Sequence, residues 1–180
     1  ERPPEWLYHG TLYPFHPRSR ETLRALGRAL PAARRFYDVN LRRNCYTPAL
    51  VRELLEGAAA LKLNQDEAAE LGRMNGERYA SIEEFCRAWS GRLGLAAIAV
   101  TRGENGCAVR IGESYAEAPG YRVQAADTVG AGDAFAAAFL HGIMNGWEAA
   151  RTADFANRVG ALVASRPGGT PEWRVEEADE

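Results

Sequence analysis

Asp127-Thr128-Val129-Gly130-Ala131-Gly132-Asp133-Ala134-Phe135 sets a loop of small residues between two acids, and an Ala/Phe-rich helical pattern follows at once. A loop of this kind at a helix N-terminus directs several backbone N–H groups at one point, where the macrodipole also favours negative charge. Asp133 falls in the first helical turn, beside any anion the loop holds. An anion cradle with a base in reach of an incoming hydroxyl is what phosphoryl transfer needs. A glycine-rich turn with an acid in the first turn is also an ordinary helix start. No Gly-Lys-Ser/Thr follows, so the loop is not a Walker A sequence.

Outward from this loop, strand and helix patterns alternate along the chain. Residues 6–9 predict a strand, and Leu23, Leu26 and Leu30 mark a helix stopped by Pro31. Residues 35–40 predict a second strand. Thr47-Pro48 then supplies an N-cap and first-turn proline ahead of Val51, Leu54 and Leu55. A third strand over 59–63 leads into a helix over 64–73. Ser81 and Glu84 have capping-box spacing, with Ile82, Phe85 and Trp89 on one helical face. A fourth strand at 95–100 precedes an antiparallel-looking region at 107–111 and 114–117. Helices over about 131–145 and 147–165 follow, the second turning Phe155, Val159 and Leu162 to the core.

Such alternation implies an α/β fold, a three-layer α/β/α arrangement with a mostly parallel sheet covered by helices on both faces. Ligands of these sheets bind beyond the carboxyl ends of the strands. Asp38, Asn40, Asn64, Thr101 and Gly103 all fall at such ends, so one shared cleft is the expectation. No repeat or long linker interrupts residues 1–180, which read as a single domain with residues 176–180 as a solvated acidic tail.

With 180 residues, 46% hydrophobic and 26% charged, the chain can bury a real core. A formal charge of −2 offers no general attraction to nucleic acid or an anionic membrane. The apolar runs are too short to span a bilayer, and no secretory leader is recognisable. Cys45, Cys86 and Cys107 lack metal-site spacing, which predicts free thiols and a cytoplasmic setting. His9, His16 and His141 form no ligand cluster.

Other segments carry chemistry and structure together. Asn64 and Glu67 have the spacing of a capping box, and Gly103 and Gly106 suit a turn between strands. Asp38, Asn40 and Arg42 alternate at period two and share a face if the strand persists. Three polar residues on one face of a buried strand would be costly without partners, whereas a strand end opening into a cleft avoids that cost.

Asp127 to Phe135 resembles the C-terminal motif of the ribokinase, or phosphofructokinase-B (pfkB), family of carbohydrate and nucleoside kinases. Thr101-Arg102-Gly103-Glu104-Asn105-Gly106 resembles its Thr-x-Gly-x-x-Gly nucleotide segment. Asn64-Gln65-Asp66-Glu67 is similar to its Asn-x-x-Glu element, associated with magnesium and phosphate. Asp38-Val39-Asn40-Leu41-Arg42 resembles the strand end of its sugar kinases, and Asn157 stands where the family often places an Asn near the adenine. The five elements occur in the family's order across residues 6–170. Gln124-Ala125-Ala126 departs from the family's usual Val-rich run.

The resemblance implies a ribokinase-like (Rossmann-like) fold and ATP-dependent phosphotransfer to a hydroxyl of a small sugar or sugar acid, fructokinase-like or 2-keto-3-deoxygluconate-kinase-like. Asp133 would be the base, with the amides around Gly130, Ala131 and Gly132 as the anion hole. Asn64, Thr101, Gly103, Gly106, Gly132 and Asn157 would bind the nucleotide, and Arg42 with Asp133 the substrate. Glu67 would hold Mg2+ through water, and Asp127 and Thr128 a monovalent cation, K+. The resemblance also implies a small-molecule sugar partner, no nucleic acid and no membrane, and it allows a homodimer. Family members carry a substantial portion ahead of the counterpart of Trp6 to Gly10, with further strands and a lid. The expectation is therefore a C-terminal, nucleotide-binding part of a longer kinase whose first residue here, Glu1, is not an initiator Met.

Two alternatives stand beside the sugar kinase. One is a catalytically silent nucleotide-binding or protein-interaction fragment, against which the intact Asp133 and Gly130–Gly132 argue. The other is a nucleoside kinase. A dinucleotide-binding oxidoreductase would need Gly-x-Gly-x-x-Gly after an early strand, and none is present there.

Overall fold

The computed structural model describes residues 3–124 and 126–179. Glu1, Ala125 in the departure noted above, and Glu180 at the acidic end lie outside the described residues. Among the described residues six strands, Trp6–Gly10 (β1), Arg34–Asp38 (β2), Ala58–Asn64 (β3), Ala97–Thr101 (β4), Cys107–Ile111 (β5) and Ser114–Ala118 (β6), form one sheet in the order β1-β2-β3-β4-β5-β6. β1, β2 and β3 pair in parallel, and β5 and β6 form an antiparallel pair. The helices are Leu12–Phe15 (α1), Pro17–Ala29 (α2), Pro48–Leu55 (α3), Gln65–Met74 (α4), Ile82–Leu93 (α5), Ala131–Met144 (α6), Ala149–Ala164 (α7) and Glu176–Asp179 (α8). The fold is the three-layer α/β arrangement that the alternation predicts. Among the described residues no helix is long and apolar enough to cross a membrane.

Side-chain caps start α3, α4 and α5. Thr47 caps α3, its side chain accepting from the Leu50 N–H at 3.2 Å, with Pro48 in the first turn. Ser81 caps α5 by accepting from the Glu84 N–H at 3.1 Å. The reciprocal bond expected of a capping box goes elsewhere: Glu84 Oε2 accepts from the Ala80 N–H at 2.8 Å, one residue before the cap. Glu176–Asp179, in the stretch expected as a solvated acidic tail, form a short helix. Ala178 is buried, and Glu177 pairs with Arg166 while accepting from the Arg174 N–H.

The chain divides into two compact units, Glu1–Ile98 and Ala99–Glu180. In the first, Phe36, Tyr37, Leu50, Leu61, Leu71, Trp89 and Ile98 are fully buried. Each large apolar side chain removed from water contributes about 1.5–3 kcal/mol. In the second, α6 and α7 pack so closely that a Cβ on Gly142 would stand 2.6 Å from Thr152 Cγ2. Phe135, Phe139, Ala153, Ala156 and Val159 complete that core.

His9 on β1 is buried and stacked on Tyr37 at 5.0 Å, its Nδ1 without a hydrogen-bond partner. Burial, with a smaller contribution from the Arg35 charge, lowers its pKa from 6.5 to about 4. The folded state therefore keeps His9 neutral at pH values where the unfolded chain binds a proton. Stability is fully present above pH 6.5 and falls as pH drops toward 4, by on the order of 2 kcal/mol. Urea unfolding across this range should show the loss, and His9→Phe should lack it. An identical pH profile in the variant would refute the assignment.

Candidate active site

In the first unit, the carboxyl ends of β2 and β3 gather the polar residues. β2 ends at Asp38, and Asn40 has φ +37, so the period-two alternation expected through Arg42 does not persist. Asp38 is buried rather than open to a cleft. Its carboxylate accepts from Lys62 Nζ at 3.1 Å to each oxygen and from Tyr8 Oη at 3.0 Å. Lys62, the only lysine of the chain, compensates a buried charge that would otherwise be costly. Arg42 is exposed in the turn that follows, where its carbonyl accepts from the Cys45 N–H at 2.9 Å.

β3 runs directly into α4 through a complete capping box. Asn64 Oδ1 accepts from the Glu67 N–H at 2.9 Å, and Glu67 Oε2 accepts from the Asn64 N–H at 2.8 Å. Glu67 Oε1 accepts in addition from the Leu41 N–H at 2.7 Å, beside Arg42. Glu67 thus joins the Asn-x-x-Glu and Asp-x-Asn-x-Arg segments. Burial raises its pKa, opposed by the bonds from the Asn64 and Leu41 amides and by the Lys62 charge. Replacing Asn64 by alanine should cost about 1 kcal/mol of stability through the lost cap, read by urea denaturation. An unchanged midpoint would mean the cap carries no net free energy.

The second unit holds the glycine loop. Asp127 Oδ1 accepts from the Val129 N–H at 2.9 Å, an Asx turn that shapes the approach to α6. The Ala126 and Asp127 N–H groups both donate to Ala164 O, at 2.9 and 3.2 Å, tying the loop to the end of α7. Thr128 is exposed, and its carbonyl accepts from the Ala131 N–H at 3.4 Å. Gly130 is the N-cap, in the left-handed region at φ +83, with no side-chain cap. A Cβ there would lie 2.0 Å from Gly169 O. The first turn of α6, with Ala131, Gly132 and Asp133, therefore begins without a side chain over its amides. First-turn N–H groups lack intrahelical acceptors, and Asp133 is exposed among them. A cavity of about 420 Å³ lies beside Gly130 and Asp133, walled by apolar groups including Ala137, Phe155, Val159 and Trp173.

The same unit holds the turn after β4. Thr101 ends that strand, and Gly103–Asn105 form one 3-10 turn with Gly103 at φ +59 and Gly106 at φ +87. The Arg102 N–H donates to Gly106 O at 2.8 Å. Asn157 is buried on α7, and its Nδ2 donates to Pro119 O at 2.6 Å. Sequence reasoning missed Gly120 and Gly169, whose backbones face Glu104 and Gly130. No local pattern marks either residue. Lys62 could have been found, as a lone lysine inside the apolar run Ala58–Asn64. Among the described residues no group of three or more His, Cys, Asp or Glu is placed to hold a metal ion.

A family model described as pfkB family carbohydrate kinase matches residues 6–174. Fructokinase-2 of Zea mays is 30% identical over 147 residues, which cover 75% of this chain and 42% of that protein. The crystal structure of 2-dehydro-3-deoxygluconokinase from Thermotoga maritima has a TM-score of 0.82 at 18% identity, covering 97% of this chain and 58% of that one. That of an uncharacterized sugar kinase from Pyrococcus horikoshii in complex with ATP has a TM-score of 0.78 at 26% identity, covering 98% and 59%. The chain spans less than two thirds of the length of each relative.

Proposed function

The chain belongs to the pfkB family of carbohydrate kinases, and on that premise we propose that it serves ATP-dependent phosphotransfer to a hydroxyl of a small sugar or sugar acid. The observation that carries this reading is the start of α6. Gly130 is held at φ +83 without a side-chain cap, and Asp133 stands exposed in the first turn. Asp133 accepts the proton of the attacking hydroxyl. The amides around Gly130, Ala131 and Gly132, reinforced by the helix dipole, stabilise charge on the transferring phosphoryl group.

Thr101, Gly103, Gly106 and Asn157, with Asn64 and Gly132, are assigned to the nucleotide. ATP suits an exposed, uncapped helix start, because its phosphates supply the acceptors that the first-turn N–H groups lack. Magnesium is commonly held by one or two carboxylates together with substrate phosphates and retained water. Glu67 would hold such water through the lone pairs its two backbone bonds leave over, with Asn64 beside it. When bound, magnesium neutralises charge on the nucleotide phosphates.

Arg42 is assigned to a carboxylate, phosphate or hydroxyl of the acceptor. Fructose-like and 2-keto-3-deoxygluconate-like sugars are the acceptors favoured, supported by the Asp38-to-Arg42 segment and by the similarity to the maize fructokinase. Asp127 and Thr128 are assigned to a loop binding a monovalent cation, with potassium the candidate.

The test is ADP release from ATP and magnesium across a panel of ketoses, 2-keto-3-deoxy sugar acids and nucleosides, in potassium and in sodium. Sugar-dependent ADP release supports the proposal. Nucleotide binding with no turnover on any acceptor would leave the silent-fragment reading in its place, and turnover confined to nucleosides would overturn the acceptor assignment.

A further inference from the structure

We propose that the Pro119-Gly120 step, held from α7 by Asn157, is a positioning clamp for the turn from Gly103 to Gly106. The inference rests on the reading above that this turn binds nucleotide. Asn157 is only 8% exposed, and its Nδ2 holds the Pro119 carbonyl at 2.6 Å. The next residue presses its bare α-carbon on the turn. A Cβ on Gly120 would lie 1.6 Å from Glu104 O and 2.5 Å from Glu104 C. The turn presses back in the same way: a Cβ on Gly106 would lie 2.0 Å from Ala118 O and 2.6 Å from Pro119 C.

Arg102 closes the other side of this contact. Its Nη2 donates to Cys107 O at 3.1 Å and to Ala118 O at 3.4 Å, and its Nη1 pairs with Glu117 Oε2 at 2.6 Å. The turn is therefore braced by backbone against backbone at residues 118–120, with the buried Asn157 carboxamide holding Pro119. No rotamer change can relieve a Cβ placed in such a contact, so the backbone must move. A turn with two glycines at positive φ has much conformational freedom to lose. Bracing it in advance lowers the ordering cost of binding. Besides its assignment to the nucleotide, Asn157 on this account is a positioning residue whose Nδ2 acts through Pro119 and Gly120, and Gly120 is required because it has no side chain.

The test is a double-mutant cycle in ATP affinity, measured by isothermal titration calorimetry well below the melting temperature. Gly120→Ala and Asn157→Asp should each weaken ATP binding about tenfold, or about 1.4 kcal/mol. The double variant should lose little more than the larger single loss, because both act through one contact. Leu54→Ala, which only opens the core of the first unit, should lower the melting temperature and leave ATP affinity unchanged. If Gly120→Ala does not fold, Arg102→Gln replaces it in the cycle with Asn157→Asp. Wild-type affinity in the variants, or fully additive losses, would overturn the clamp alone. Failure of the wild-type protein to bind ATP would overturn the nucleotide reading beneath it.

Discussion

Replacing Asp133 by alanine is expected to lower kcat about 10³-fold, within the 10²–10⁴ range of a positioned general base. The carboxylate is exposed on the first turn of α6, so its removal opens no cavity. The stability cost should stay near the few tenths of a kcal/mol that an acid gains from the helix dipole at a solvated N-terminus. ATP binding should change by less than about threefold, because the proposed mechanism gives anion binding to backbone amides and has Asp133 act only as the acceptor proton leaves. Asp133→Asn keeps the side-chain shape but cannot take the proton, and it should lose nearly as much. Steady-state kinetics on the sugar acceptor, with nucleotide affinity measured separately, decide the matter. Turnover near the wild-type value in either variant would remove Asp133 from the mechanism.

Gly130→Ala is expected to damage both stability and rate. At φ +83 the new side chain pays about 1–2 kcal/mol for the left-handed conformation. Its Cβ would stand 2.0 Å from Gly169 O and 2.7 Å from Gly169 C, so loop and C-terminal segment must separate. Losing one preorganised donor typically costs 10²–10³ in kcat. Moving the whole loop displaces several amides at once, and a fall of about 10³ in kcat/KM is expected. Gly168→Ala is the matched control. Gly168 has φ +85 with open space around it, so alanine there carries the backbone strain without the collision. It should lose stability and keep its rate. If the two variants behaved alike in kinetics and melting, the close approach of Gly130 to Gly169 would have no functional weight.

The starts of α3, α4 and α5 were legible because their signals act over three or four residues. Thr47-Pro48 and Asn64 with Glu67 form the caps that their spacing implies. Ser81 and Glu84 show the limit, since Glu84 reaches the Ala80 amide instead of the cap's own. The strand alternation read through Asp38, Asn40 and Arg42 failed for a related reason. Asn40 takes a positive φ and ends the pattern, and Asp38 is committed to Lys62 and Tyr8. Asn157 was legible as a residue of interest only through the family resemblance, and its buried bond to Pro119 has no sequence signature.

The sequence by itself determined the alternation of strands and helices, the caps that start α3 and α4, and the glycine loop that opens α6 with Asp133 in its first turn. Each of these is written in neighbouring residues, through periodicity, turn chemistry and hydrogen bonds spanning a few positions. Only the tertiary structure decided that Glu67 holds the Leu41 amide, that Lys62 neutralises Asp38, and that Gly120 and Gly169 face Glu104 and Gly130. These contacts join residues 16–39 positions apart in the chain. They depend on how closely the backbones approach once the core is packed, and a glycine's missing side chain becomes a requirement only when another backbone occupies the space.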